Sequence, residues 1–208
     1  MPAVVQPITV FEKTIDRSLA LLELHSGDVE LGEKDDLVRA AVILAIAGFD
    51  RYFTAKYCDV LIPHLKSGKK VDDELCKRLE DSGLSTRFAL EFLTAKRPYR
   101  KIRTIVQNSL SAHTTHRDSV IDALFLQLGL KGLCEHAQAK AKRKNLIKRT
   151  MKLVDVRNSI SHEAHVGVNG EPRTLEREDV KARIEDLKLF VENCDDIIGK
   201  KYGVKKPI

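Results

Sequence analysis

Ten consecutive residues without a charge, Ala40-Ala41-Val42-Ile43-Leu44-Ala45-Ile46-Ala47-Gly48-Phe49, constrain the fold of this chain more than any other feature. A helix that is apolar almost all round cannot lie on a surface. It has to be the central member of a bundle, covered by helices that are apolar on one side only. The run is well short of the roughly 18 residues that cross a bilayer, so a buried helix is expected and a membrane segment is not. Its polar flanks extend the helix over about residues 34–61, where Pro63 is expected to stop it.

The rest of the chain can supply the covering layer. Phe11, Ile15, Leu19 and Leu22 recur at helical spacing and predict a helix over 8–24, ended by Ser26-Gly27. Shorter helices are expected over 71–80, 85–94, 99–112 and 118–129, with Pro98 dividing the second from the third. A long basic helix is expected over about 137–164. Asn169-Gly170 and Pro172 make 166–174 a turn. Thr174 is then placed to cap a last helix with Val180, Ile184, Leu187, Phe190, Val191, Cys194 and Ile197 on one side. No segment alternates as a strand would. The expectation is one all-α domain over 1–208, a helical bundle with a long central helix and additional short ones, its core at about 8–198 and a basic tail at 199–208.

Charge narrows the partners. The net charge is +6, and placement says more than the total. From 138 to 154 there is no acid, while Lys140, Lys142, Arg143, Lys144, Lys148, Arg149 and Lys152 all occur. A second cluster is Lys96, Arg97, Arg100, Lys101 and Arg103. Such runs attract a polyanion by releasing its counterions, although a solvated helix face reads the same way. Aromatic residues are 5% of the chain and tryptophan is absent, which speaks against a platform of stacked rings for single strands. Cys58, Cys76, Cys134 and Cys194 are far apart with no C-x-x-C, and the first ten residues lack the charged start and apolar stretch of a secretory signal. Reduced, mostly buried thiols in a cytoplasmic protein are expected.

The chemistry lies in Val156-Arg157-Asn158-Ser159-Ile160-Ser161-His162-Glu163-Ala164. Arginine, four residues, then histidine, with asparagine directly after the arginine, resembles the R-x4-6-H signature of the HEPN superfamily. The apolar run continued by Asp50-Arg51-Tyr52 resembles the early helix of the RiboL-PSP-HEPN branch. Thr174-Leu175-Glu176-Arg177-Glu178-Asp179-Val180 resembles the opening of its C-terminal helix. The resemblance covers about 8–198, and its specific part is 157–162. It implies an HEPN-type bundle, RNA as substrate, and a homodimer whose two-fold axis brings two motifs into one cleft. It also implies a toxin or antiviral-defence setting. A freely active ribonuclease would harm its host, so control by an inhibitor or antitoxin protein, a second domain partner or a conformational trigger is expected.

These residue types suit RNA cleavage without a metal or other cofactor. The 2′-hydroxyl attacks the adjacent phosphorus and leaves a 2′,3′-cyclic phosphate, which needs a group that moves a proton near neutral pH. Histidine does this, and His162 takes that role. Arginine's planar, permanently charged fork matches the phosphorane oxygens, so Arg157 takes the stabilising role. Asn158 lies four residues before His162, on the same helical face, and is expected to orient its ring. Arg157 and His162 are five apart, roughly 140° around a helix, so one helix does not present both squarely. A dimer would ease that difficulty. Asp50 and Ser161 are supporting candidates, and Lys144, Lys148, Arg149 and Lys152 are candidate RNA contacts.

Each assignment has a plainer reading beside it. His162 can be a histidine at a helix C-terminus interacting with the dipole, Arg157 a structural partner of Asp155 or Glu163, and Asp50 part of a surface turn. His162-Glu163-Ala164-His165 is one residue short of the zinc motif H-E-x-x-H and has no evident third ligand, and His113 with His116 has the same weakness. Ser159 and Ser161 lack the setting of a serine hydrolase. The alternative function is a non-catalytic HEPN module that binds RNA or protein through its basic surface. A regulatory subunit for a nucleotidyltransferase is disfavoured, since HEPN proteins of that kind carry a tyrosine two places after the motif histidine and this chain has Ala164.

Overall fold

The computed structural model describes residues 5–24, 31–68, 71–111, 117–167, 169–171 and 173–203. Among them are nine helices and no strand: α1 Pro7–Leu24, α2 Leu31–Lys66, α3 Asp73–Asp81, α4 Thr86–Leu93, α5 Pro98–Ser111, α6 Asp118–Leu126, α7 Leu133–Ala141, α8 Leu146–Glu163 and α9 Arg177–Tyr202.

The apolar run becomes the middle of α2, a helix about 54 Å long by its rise per residue. Val38, Ala41, Val42, Ala45, Ile46, Phe49 and Phe53 are all buried. α1 lies directly on it. A Cβ on Gly48 would stand 2.9 Å from Thr14 Cγ2, so the absent side chain makes room for the Thr14 side chain of α1. Nearby, Ser18 Oγ donates to the Ala41 carbonyl at 2.6 Å. α9 covers another side with Val180, Ile184, Leu187, Phe190, Val191 and Cys194. The few aromatic rings gather where α2 and α9 meet, with Phe49 and Phe53 edge to face at 5.0 Å and Tyr52 and Phe53 likewise at 4.9 Å. Within this core Lys56 and Asp195 form an ion pair at 2.6 Å, and the Tyr52 hydroxyl donates to Asp195 Oδ1 at 2.8 Å.

Several boundaries differ from expectation, among them the start of α2 at Leu31 and the end of α6 at Leu126. Pro63 does not stop α2, because a proline in the last turn removes one hydrogen bond while buried Val60 and Leu61 keep the helix anchored. The single basic helix over 137–164 is two helices. Lys142 and Asn145 adopt left-handed backbone (φ 52° and 60°), and the Gln138 side chain accepts from the Ile147 amide at the start of α8. Thr174 does not cap α9, which begins at Arg177 after Glu176 and carries Glu178 and Asp179 in its first turn, where acids favour the helix dipole. The last helix also outruns residue 198, reaching Tyr202, whose hydroxyl donates to the Leu128 carbonyl at 2.8 Å. Ser26-Gly27, His113 and His116 lie outside the described residues.

Candidate active site

α8 is anchored by Leu146, Thr150, Leu153 and Val154, which are buried and recur at helical spacing. The motif occupies the last two turns, where the burial gives way. Arg157 and Asn158 are half-buried, and Ser161 and His162 are exposed. The helix ends sharply beyond them. Ala164 and His165 are both left-handed (φ 49° and 54°), and the amides of both bond to the Ser159 carbonyl. Two such residues in succession, neither a glycine, need compensation. His165 supplies it. Its ring is buried with Nδ1 3.1 Å from the Arg173 carbonyl, while the Arg173 amide donates to the His165 carbonyl at 2.8 Å.

Arg157 and Asn158 are joined, Nη1 donating to Oδ1 at 2.9 Å. The amide oxygen thus serves the arginine and not the imidazole four residues on. The carboxylates flanking the motif are occupied elsewhere: Asp155 pairs with Arg117 at 2.6 Å, and Glu163 accepts from Ser159 Oγ at 3.0 Å. Among the described residues no carboxylate pairs with Arg157, and no side-chain hydrogen bond holds His162. A guanidinium oriented by a neutral neighbour and left unneutralised is available to an anion. Both residues sit on regular helix, so their offset of roughly 140° stands.

The structure adds residues that the sequence did not single out. Arg39 on α2 donates through Nη2 to the same Arg173 carbonyl at 3.1 Å and through Nη1 to Asp36 at 2.9 Å, while its Nε is buried without a hydrogen-bond partner. Burial, helped by the Arg39 charge, holds the His165 imidazole below the usual histidine range. Arg39, His165 and Arg173 thereby tie the end of the motif helix to the central helix. Nothing near Arg39 in the sequence marks it, since Asp35-Asp36 beside it reads as an ordinary exposed ion-paired turn. Asp50 is half-buried on α2, three turns beyond Arg39 and within roughly 20° of it around the helix.

Residues 12–200 match the RiboL-PSP-HEPN family. The chain belongs to that family. Comparison with curated proteins and with solved structures returns no match. Its HEPN fold divides the basic run into two groups. Lys140 pairs with Asp196, and Arg143 and Arg149 both pair with Asp186, whose carboxylate is buried. Lys142, Lys144, Lys148 and Lys152 remain exposed, and among the described residues none forms an ion pair. Of the RNA-contact candidates, Arg149 is therefore engaged in holding α8 to α9, and the three lysines are not. Cys58, Cys134 and Cys194 are buried free thiols, with burial pushing Cys58 up to about 11, and Cys76 is exposed. Among the described residues no three His, Cys, Asp or Glu side chains are placed to hold a metal ion, and no helix is long and apolar enough to cross a membrane.

Proposed function

We propose that this HEPN protein is a metal-independent endoribonuclease, with Arg157 and His162 acting on RNA at the exposed end of α8. The observation that carries the reading is the state of Arg157, oriented by Asn158 at 2.9 Å and neutralised by no carboxylate among the described residues. A phosphodiester seated there meets the guanidinium through its non-bridging oxygens. The His162 imidazole accepts the 2′-hydroxyl proton as that oxygen attacks phosphorus. The bond to the 5′-oxygen breaks, and the departing oxygen receives a proton. The products are a 2′,3′-cyclic phosphate and a 5′-hydroxyl. DNA, lacking the 2′-hydroxyl, is not cut. Lys148 and Lys152 on the same helix, with Lys144 in the turn just before it, hold the backbone.

A homodimer completes the site in this reading. Ala40, Ile43 and Ala47 are exposed on α2, with Ile43 41% accessible, and they form an apolar stripe beside Arg39 and the loop that ends the motif. Pairing two copies across that stripe covers it and supplies a second motif, which answers the angular offset within one helix. A ribonuclease of this kind needs restraint in its own cell, which fits a toxin or defence effector held by an inhibitor protein.

The test is incubation of labelled total RNA and transfer RNA with wild type and His162→Ala in excess EDTA. Cleavage that survives chelation, leaves 2′,3′-cyclic ends and is lost in the variant is the expected result. Cleavage abolished by EDTA would point to a metal site. No cleavage by either protein, with RNA bound equally by both, would make the chain a non-catalytic binding module.

A further inference from the structure

A groove of about 860 Å³ lies between α4 and α5, and no motif residue is in its lining. Its apolar part is Phe88 and Phe92 from α4 with Ile105 from α5. The two phenylalanines are four apart and so share a face of α4, their centroids 6.2 Å apart and their planes at 37°. They are not core residues in the ordinary sense. Thr86 to Glu91 are all exposed, and Phe88 is 42% accessible. The rim carries Lys96, Arg97, Arg100 and Lys101, none of which forms an ion pair among the described residues. Lys101 Nζ stands 5.9 Å from the Phe92 ring centroid. The carboxylate in the lining, Glu91, is already engaged by Arg87 at 3.3 Å. The first turn of α5 contains no acid, so its N-terminus adds to the positive field.

We infer that this groove is a second RNA site, in which unpaired bases stack on Phe88 and Phe92 while the four cations hold the adjoining phosphates. The inference rests on RNA being the substrate class and deepens that reading. Exposed aromatic faces interleaved with cations are what single-strand recognition requires, because every base has a π-face and every nucleotide a phosphate. An aliphatic floor would serve a protein partner as well as two rings do. The uncompensated charge of the rim is what favours a polyanion. Aromatic residues are scarce in the chain as a whole, yet two of its 7 phenylalanines meet here.

Position gives the site its purpose. α5 is tied to α2 by Arg103 and Asp59 at 2.6 Å, whereas the end of the motif helix is tied to α2 at Arg39. Those two points are twenty residues apart on one helix, on the order of 30 Å. An RNA that reaches both has to extend along α2 and be unpaired where its bases stack in the groove. The groove thus selects for single-stranded segments remote from the cut, and the two contacts on one strand reinforce each other through effective concentration.

The experiment measures binding in the His162→Ala background with EDTA, using a fluorescein-labelled single strand of about 16 nucleotides, the upper end of a single-strand site, and the same strand as a duplex. Phe88→Ala/Phe92→Ala is expected to weaken single-strand binding on the order of tenfold or more and to leave the duplex unchanged. Phe88→Leu/Phe92→Leu, which keeps the apolar volume, should fail in the same way, and Phe88→Tyr/Phe92→Tyr should recover affinity. Leu90→Ala, on the same exposed helix but outside the groove, controls for damage to α4. Single-strand binding equal to wild type in either the alanine or the leucine double variant would overturn the inference and leave the groove to a protein partner, and so would equal losses for single strand and duplex. Cleavage by the otherwise wild-type protein is scored separately. Groove-dependent binding without any cleavage sinks the nuclease reading alone, and cleavage without groove dependence sinks this inference alone.

Discussion

Asn158 Oδ1 accepts a hydrogen bond from Arg157 Nη1 at 2.9 Å, and the acceptor is neutral. A carboxylate in that place would orient the guanidinium equally well and cancel the charge that a phosphorane needs. The expected result for Asn158→Asp is therefore a fall in cleavage of more than tenfold, with weaker RNA binding as well. Arg157→Lys keeps the charge but loses the planar fork, and cleavage should drop on the order of a hundredfold. Single-turnover rates with cyclic-phosphate detection measure both. An Arg157→Lys variant as fast as wild type would remove the bidentate role.

The basic helix separates into residues that hold the fold and residues that face solvent. Arg149 shares the buried Asp186 carboxylate with Arg143, so Arg149→Ala should lower the melting temperature. Lys148→Ala and Lys152→Ala should leave it unchanged. Each lysine variant should weaken RNA binding for every sequence and reduce the salt slope by about one. Melting curves and salt titrations of affinity, run side by side, make the comparison. A lysine variant with an unchanged salt slope would take that residue out of the RNA path.

His165 makes stability depend on pH in one direction. Burial holds its ring below the usual histidine range, the nearby Arg39 and Arg173 charges act the same way, and the Arg173 carbonyl and Glu163 oppose them. As pH falls below about 6.5, the unfolded chain takes up a proton that the folded chain resists. The unfolded state then binds more protons, so stability present above that pH is lost as the pH falls toward the folded value. His165→Gln cannot titrate. Urea midpoints for both proteins between about pH 8 and pH 5 should differ by a constant amount above about 6.5, and the gap should narrow below it. Parallel curves throughout would show that the imidazole is not held neutral.

What the sequence discloses follows from the range of the forces involved. α2 is legible because ten uncharged residues admit one placement, and Arg157 with His162 is legible because the motif is local. The break between α7 and α8 is not. Lys142-Arg143-Lys144-Asn145 holds neither glycine nor proline, and the left-handed turns at Lys142 and Asn145 accompany partners supplied by Asp186 and Gln138. Pro63 misleads for the opposite reason, a strong local signal outweighed by the buried residues just before it. Arg39 stays hidden because its carbonyl partner, Arg173, is 134 residues away. Asn158 shows the same limit on a smaller scale, since helical spacing offered it to His162 and the adjacent guanidinium took it.

The ion pair between Lys56 and Asp195 was equally invisible, and it sets the steepest stability test. Both side chains are almost wholly buried, 2.6 Å apart, and Tyr52 donates to the same carboxylate oxygen at 2.8 Å. Burial first, and then the Asp195 charge, pushes the Tyr52 hydroxyl well above the usual tyrosine range, so it remains a donor. Asp195→Ala strands a buried ammonium and a buried hydroxyl together, and the expected loss is about 3–5 kcal/mol. Lys56→Met/Asp195→Asn removes both charges while the asparagine oxygen still accepts from Tyr52. Replacing a buried pair by well-packed neutral groups is often close to neutral, so most of the loss should return. Urea denaturation of the two variants and wild type decides it. A double variant no more stable than Asp195→Ala would mean that the pair contributes net stability to the core and is not merely tolerated there.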